Sequence, residues 1–148
     1  MTIALALAPH GESHAGQTAT LALVAHIPPA AALAVSAPHV VASGSPQVSL
    51  MVTERANTPT GYLVTLESEN AVRAGRPVLA PVEGGGQPVA YRLRYGGRDV
   101  LFTGSRATLT DSRGPVVTPV AKEFTIEIPR GPVVDGFRDT LWLTVLQR

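Results

Sequence analysis

A chain of 148 residues with a formal net charge of +1 has room for one domain with a buried core. The absence of cysteine removes a disulfide framework, a thiolate nucleophile and Cys-based zinc or iron sites. Its 12 basic and 11 acidic residues form no basic run, which argues against nucleic-acid binding, and no apolar stretch approaches the roughly 20 residues of a membrane-spanning helix.

Aromatic residues are only 5% of the chain against 45% hydrophobic overall, so Val, Leu and Ala must fill the core. Residues 3–8 form a short apolar run, and Ser13-His14-Ala15 before Gly16 has the small-x-small form of a signal cleavage site. The basic n-region and the roughly 7–15 apolar residues of a complete signal are missing. Residues 1–16 therefore read either as the tail of a signal peptide that begins upstream or as a polar leader, and the domain is expected over 17–148.

From Gln17 the pattern has period two. Residues 18–27 place Ala19, Leu21, Leu23, Ala25 and Ile27 on one face, as in a half-buried strand, and Pro28-Pro29 ends it. Residues 31–36 predict a second short strand. Residues 47–54 alternate Val48, Leu50 and Val52 with Ser49, Met51 and Thr53. Asn57-Thr58-Pro59-Thr60-Gly61 supplies a turn, and residues 62–68 follow as a strand with Tyr62, Val64 and Leu66 on one face. Residues 69–87, with Gly84-Gly85-Gly86, predict a loose connection.

Residues 89–95 alternate apolar side chains with Arg, and Gly96-Gly97 closes a hairpin. Short strands are expected at 100–102 and 106–110. Residues 122–128 turn Phe124, Ile126 and Ile128 inward and Thr125 and Glu127 outward. The last strand is expected over 138–146. Many short strands separated by turn signals predict an all-β, immunoglobulin-like sandwich, with a closed barrel as the structural alternative.

Catalytic chemistry is thinly represented. His10, His14, His26 and His39 lack the carboxylate company and convergence of a metal site. Glu67 and Glu69, on either side of Ser68, and Glu123 and Glu127 read as solvent-facing charges that discourage wrong strand pairing. Arg92, Arg94, Arg98, Arg106 and Arg113 read as solvated strand faces. No G-x-S-x-G or P-loop pattern occurs. The expectation is a protein without enzymatic activity, cofactor or metal.

The ends are more informative. Leu141, Leu143 and Val145 form the inward face of the last predicted strand, and Gln147-Arg148 follow. A sheet without a further strand beside this one exposes an apolar groove that another strand can fill. Residues 18–27 either pair within their own domain or fill a neighbour's groove.

Three segments resemble a known family. Asn57-Thr58-Pro59-Thr60-Gly61-Tyr62-Leu63-Val64-Thr65-Leu66-Glu67-Ser68 is similar to the N-x-P-x-G-Y-x-V-T-L-x-S run of the spore coat protein U-like pilins of the chaperone–usher class. Val89-Ala90-Tyr91-Arg92-Leu93-Arg94-Tyr95-Gly96-Gly97 resembles their Y-x-L-x-Y-G-G strand and turn. Phe137-Arg138-Asp139-Thr140-Leu141-Trp142-Leu143-Thr144-Val145 resembles their closing Y-x-D-T-L-x-L-T-V strand. The resemblance covers about residues 17–148.

It implies an incomplete immunoglobulin-like fold, export to the periplasm and then the cell surface, and polymerisation by donor-strand exchange. Its partners would be other copies or related pilin subunits, a periplasmic chaperone and an outer-membrane usher. By the same analogy Ala19, Leu21, Leu23, Ala25 and Ile27 are the donor residues, and Leu141, Leu143 and Val145 line the acceptor groove. Family members often carry a disulfide near the N-terminal part, which this chain lacks. The rival expectation is a self-contained immunoglobulin-like module binding a carbohydrate or protein, with an exposed aromatic platform drawn from Trp142 and Tyr91 or Tyr95.

Overall fold

Alternation of apolar and polar residues builds two facing antiparallel sheets. The computed structural model describes residues 28–41, 47–82, 86–129 and 136–148. The predicted donor strand 18–27, and with it Ala19, Leu21, Leu23, Ala25 and Ile27, lies outside the described residues, as do His10, His14 and His26.

The larger sheet is built on two 12-residue strands, β3 (Gln47–Thr58) and β10 (Val116–Glu127), paired along their full length. On the outer side of β3 lie β1 (Ala30–Val35) and β2 (His39–Val41), which continue one another along it. Between them Ser36 both donates its N–H to the Met51 carbonyl and accepts the Met51 N–H on its hydroxyl, so Pro38 is passed without an orphaned ladder group at Met51. Beyond β10 come β7 (Arg92–Tyr95) and β8 (Arg98–Asp99), joined through Gly96 and Gly97 at φ 54° and 78°, as the hairpin signal predicts.

The second sheet has the order β12 (Leu141–Gln147), β4 (Gly61–Ser68), β9 (Arg106–Arg113). A third, small sheet of β11 (Phe137–Arg138), β5 (Val78–Pro81) and β6 (Val89–Ala90) joins the connections. One short helical turn, α1 (Ala71–Ala74), closes on Gly75 in the left-handed region.

Inward residues of both main sheets meet in two clusters. Val52, Leu66, Tyr91, Leu93, Tyr95 and Phe124 form the first, and Ala56, Tyr62 and Val64 the second, with Leu33 and Leu109 packed against both. Full burial of each large apolar side chain contributes about 1.5–3 kcal/mol. Phe124 meets Tyr95 edge to face, with centroids 6.2 Å apart.

Several boundaries differ from expectation for identifiable reasons. Residues 69–87 contain α1 and β5 rather than a loop alone. The expected strand 89–95 divides at Tyr91 between two sheets, and the expected strand 138–146 divides at Asp139-Thr140. Residues 100–102 are not a strand. Thr125, expected outward, is buried. β10 begins at Val116, six residues before the expected 122, because Pro119 is harmless there: β3 pairs on one side, while β7 reaches only from Phe124 to Glu127 on the other. At Pro119 the strand is a local edge, where a missing N–H costs nothing.

Candidate functional site

β12 alternates cleanly. Leu141, Leu143 and Val145 are half-buried and inward, while Trp142, Thr144 and Leu146 face out. Leu141 and Leu143 pack against the Val52–Phe124 cluster and Val145 against Ala56, Tyr62 and Val64. One edge of β12 pairs with β4 from Leu141–Ser68 to Gln147–Tyr62. Among the described residues no strand pairs with its other edge. On that side lies β1 of the opposite sheet, whose Ala31 and Leu33 border the same cluster as Val145. The three inward residues named from sequence are therefore brought together beside a strand edge that no described strand pairs.

Two polar devices fix β12 in place. At its start Asp139 accepts hydrogen bonds from Ser68 Oγ at 2.7 Å, Tyr91 Oη at 2.5 Å and the N–H groups of Asn70 and Thr140 at 3.2 and 2.8 Å. Burial, then the hydrogen bond to Asp139, pushes the Tyr91 hydroxyl far above its ordinary pKa, so it remains a donor. Asn70 adds bonds from Nδ2 to the carbonyls of Val78 and Arg138. At the other end the Arg148 guanidinium lies 2.7 Å from Asp111 on β9, and the Arg148 N–H bonds the Gly61 carbonyl at 3.1 Å.

Between the sheets sits a charged cluster. Glu54 is fully buried on β3, and its carboxylate accepts bonds from Tyr95 Oη at 2.5 Å, Thr110 Oγ1 at 2.6 Å and Tyr62 Oη at 2.7 Å. Lys122 Nζ reaches both carboxylate oxygens at 3.1 and 3.0 Å and Thr110 Oγ1 at 2.7 Å, 5.3 Å from the Tyr95 ring centroid. A register shift in the β4–β9 pairing at Val64/Thr65 turns Thr110 to the Val64 face, towards this cluster. Burial alone raises the Glu54 pKa; the donors Thr110, Tyr95, Tyr62 and Lys122 together outweigh it and hold the carboxyl below its usual range. Burial and Glu54 push Tyr62 up to about 12 and Tyr95 higher still. Every group has partners, so the cluster is a cross-sheet clamp.

The other sequence candidates are dispersed. Glu67 pairs with Arg106, Arg94 with Asp99 and Arg113 with Asp111, all at the surface, and Glu69 and Glu123 are exposed. His39 begins β2 and is exposed. Among the described residues no three His, Asp or Glu side chains are grouped to hold a metal ion. The aromatic platform is corrected: Tyr91 and Tyr95 are core residues, and only Trp142, 49% exposed, faces outward.

Glu54, Lys122 and Asp139 were not singled out by pattern. The first two had a signal: continuing 48, 50, 52 and 128, 126, 124 in steps of two places both charges at inward positions. Asp139 had none beyond its place in the segment similar to Y-x-D-T-L-x-L-T-V. Among known proteins, no family model, curated protein or solved structure matches the chain.

Proposed function

We propose that this chain is a structural subunit of a bacterial surface pilus, assembled by donor-strand exchange. The observation that carries the reading is the β12 edge: half-buried Leu141, Leu143 and Val145 beside a strand face that no described strand pairs. An incoming strand supplies both the missing ladder bonds and the apolar cover.

Strand order supports it. An immunoglobulin sandwich sets strands A-B-E-D on one sheet and C-F-G on the other. Here β1-β3-β10-β7 has the first order, and β4-β12 has C-F with no described strand in the place of G. The three segments similar to spore coat protein U-like pilins run from the end of β3 through β4, from β6 through β7 and its hairpin, and from β11 into β12.

In this mechanism Ala19, Leu21, Leu23, Ala25 and Ile27 of one subunit enter the groove of the next. Each large aliphatic residue fully covered contributes about 1.5–3 kcal/mol, with the alanines contributing less. A periplasmic chaperone covers the edge before assembly, and an outer-membrane usher exchanges it for the neighbour's strand. The product is a fibre at the cell surface.

The test is the oligomeric state of the full chain and of a version lacking residues 1–27, by size-exclusion chromatography with light scattering. Oligomers from the full chain alone, restored in occupancy by a synthetic 17–27 peptide bound to the truncated form, are the expected result. A stable full-length monomer whose truncation unfolds it would mean that residues 18–27 complete their own sheet.

A further inference from the structure

The outer face of the three-stranded sheet carries chemistry that the assembly mechanism does not use. Trp142, Glu67 and Arg106 are consecutive cross-strand partners on β12, β4 and β9, so they lie in one row on one face. Trp142 is 49% exposed. Arg106 donates from both Nε and Nη2 to a single oxygen of Glu67, Oε1. Among the described residues, Glu67 Oε2 and Arg106 Nη1 make no hydrogen bond, although Arg106 is 65% exposed and Glu67 36%. The row thus offers an aromatic plane, a charged acceptor and a charged donor side by side. The next row, Thr144, Thr65 and Thr108, adds hydroxyls at Thr144 and Thr108, with Thr65 covered.

We propose that this face binds a neutral oligosaccharide, with a pyranose ring stacked on the Trp142 indole and vicinal hydroxyls bonded to Glu67 Oε2 and Arg106 Nη1. A sugar matches both halves of the row. Its C–H face is apolar enough to lie on an aromatic plane, and its rim of hydroxyls is polar enough to engage charged partners. Hydrogen bonds to ionised groups are the strong ones in such a site. The charges complement a neutral ligand: Glu67 and Arg106 cancel, and Asp111, further along β9, is itself matched by Arg113 and Arg148. A polyanion meets the Glu67 carboxylate beside the ring and is disfavoured. The face is opposite to Leu141, Leu143 and Val145 on the same strand, so sugar binding and strand assembly do not compete and can fail separately.

Trp142 is the chain's single tryptophan, so its emission reports this site alone. The experiment titrates the full chain with cellohexaose, chitohexaose, mannohexaose and, as the anionic comparison, hexagalacturonate. A saturable blue shift with at least one neutral hexasaccharide, at a dissociation constant below about 1 mM, and none with hexagalacturonate is expected. By calorimetry Trp142→Ala and Glu67→Ala each weaken binding at least about tenfold, while Trp142→Tyr retains part of it. Trp142, Glu67 and Arg106 are all at the surface, so thermal melts of variants at these positions are expected to stay near wild type. No saturable change with any neutral sugar, tighter binding of hexagalacturonate, or affinity indifferent to Glu67→Ala and Arg106→Ala overturns the proposal. So does a blue shift produced by concentrating the chain without sugar, which would assign Trp142 to a contact between copies.

Discussion

Lys122 Nζ lies 3.0 Å from the carboxylate of Glu54, in the space between the two sheets. Glu54 is fully buried, whereas the lysine side chain retains 25% exposure, so the pair joins a buried anion to a cation that enters from the rim. Tyr62 and Thr110 tie the same carboxylate to the second sheet. A pair of this kind is costly to break from one side, since the remaining charge is left without a counterpart.

Glu54→Gln is therefore expected to destabilise the fold by about 3–5 kcal/mol, because Lys122 loses its counter-ion. The double variant Glu54→Gln/Lys122→Met removes both charges while the amide oxygen still accepts from the tyrosine and threonine hydroxyls, and should recover most of that loss. Urea unfolding of the three proteins measures it. A double variant as unstable as Glu54→Gln would mean that the tyrosine and threonine bonds, rather than the ion pair, carry the effect.

The same cluster sets a pH window. The folded-state pKa of Glu54 is depressed, so its contribution is present above its ordinary value of 4.5 and is lost as pH falls through the lower folded value. Tyr62 is raised to about 12, so its contribution is full below its ordinary value of 10.0 and is lost as pH rises towards 12. Stability measured by urea midpoints should be flat across neutral pH and fall on both sides. In Tyr62→Phe the alkaline fall should shrink; an unchanged one would assign it to other groups.

Two glycines with similar backbone angles should respond differently to alanine. At Gly61, φ is +97° and an added Cβ would sit 2.1 Å from the Ser112 carbonyl oxygen on the paired strand. At Gly97, φ is +78° with nothing within 4 Å. Gly97→Ala meets only the left-handed backbone cost, about 1–2 kcal/mol. Gly61→Ala adds a backbone collision and is expected to exceed 4 kcal/mol, or to prevent folding. Equal effects in thermal melts would show that the β4–β9 pair yields at Ser112.

What could be read from the sequence was what depends on local alternation. The inward faces of β3, β4 and β12 and the Gly96-Gly97 hairpin follow from period two and turn chemistry, and the structure places Tyr62, Val64 and Leu66 in the core accordingly. What escaped depends on partners distant in the chain. Pro119 argues against a strand until it is known that β7 stops short of it. Tyr91 looks like one more member of an alternating strand, but its hydroxyl is held by Asp139, 48 residues away, and the chain changes sheets there. Leu141, Leu143 and Val145 were legible as an inward face; the edge beside them, which no described strand pairs, needed the sheet order.

Asp139 is expected to control the start of β12. Its carboxylate gathers Tyr91 Oη, Ser68 Oγ and the N–H groups of Asn70 and Thr140, and Tyr91 and Ser68 are 7% and 1% exposed. Asp139→Ala leaves those donors without their acceptor where little water reaches, at about 1–3 kcal/mol for each buried group orphaned. Tyr91→Phe removes one donor together with its need for a partner and should cost about 1 kcal/mol. Because the lost bonds tie β12 to β4 and the small sheet, the damage should be local: in Asp139→Ala, amide exchange should accelerate in 139–145 before it does in β10. Uniform acceleration in both strands would instead make Asp139 a determinant of global stability. If assembly uses the β12 edge, this variant should also form oligomers poorly at temperatures where its circular dichroism is unchanged, since a strand that opens locally cannot hold an incoming one.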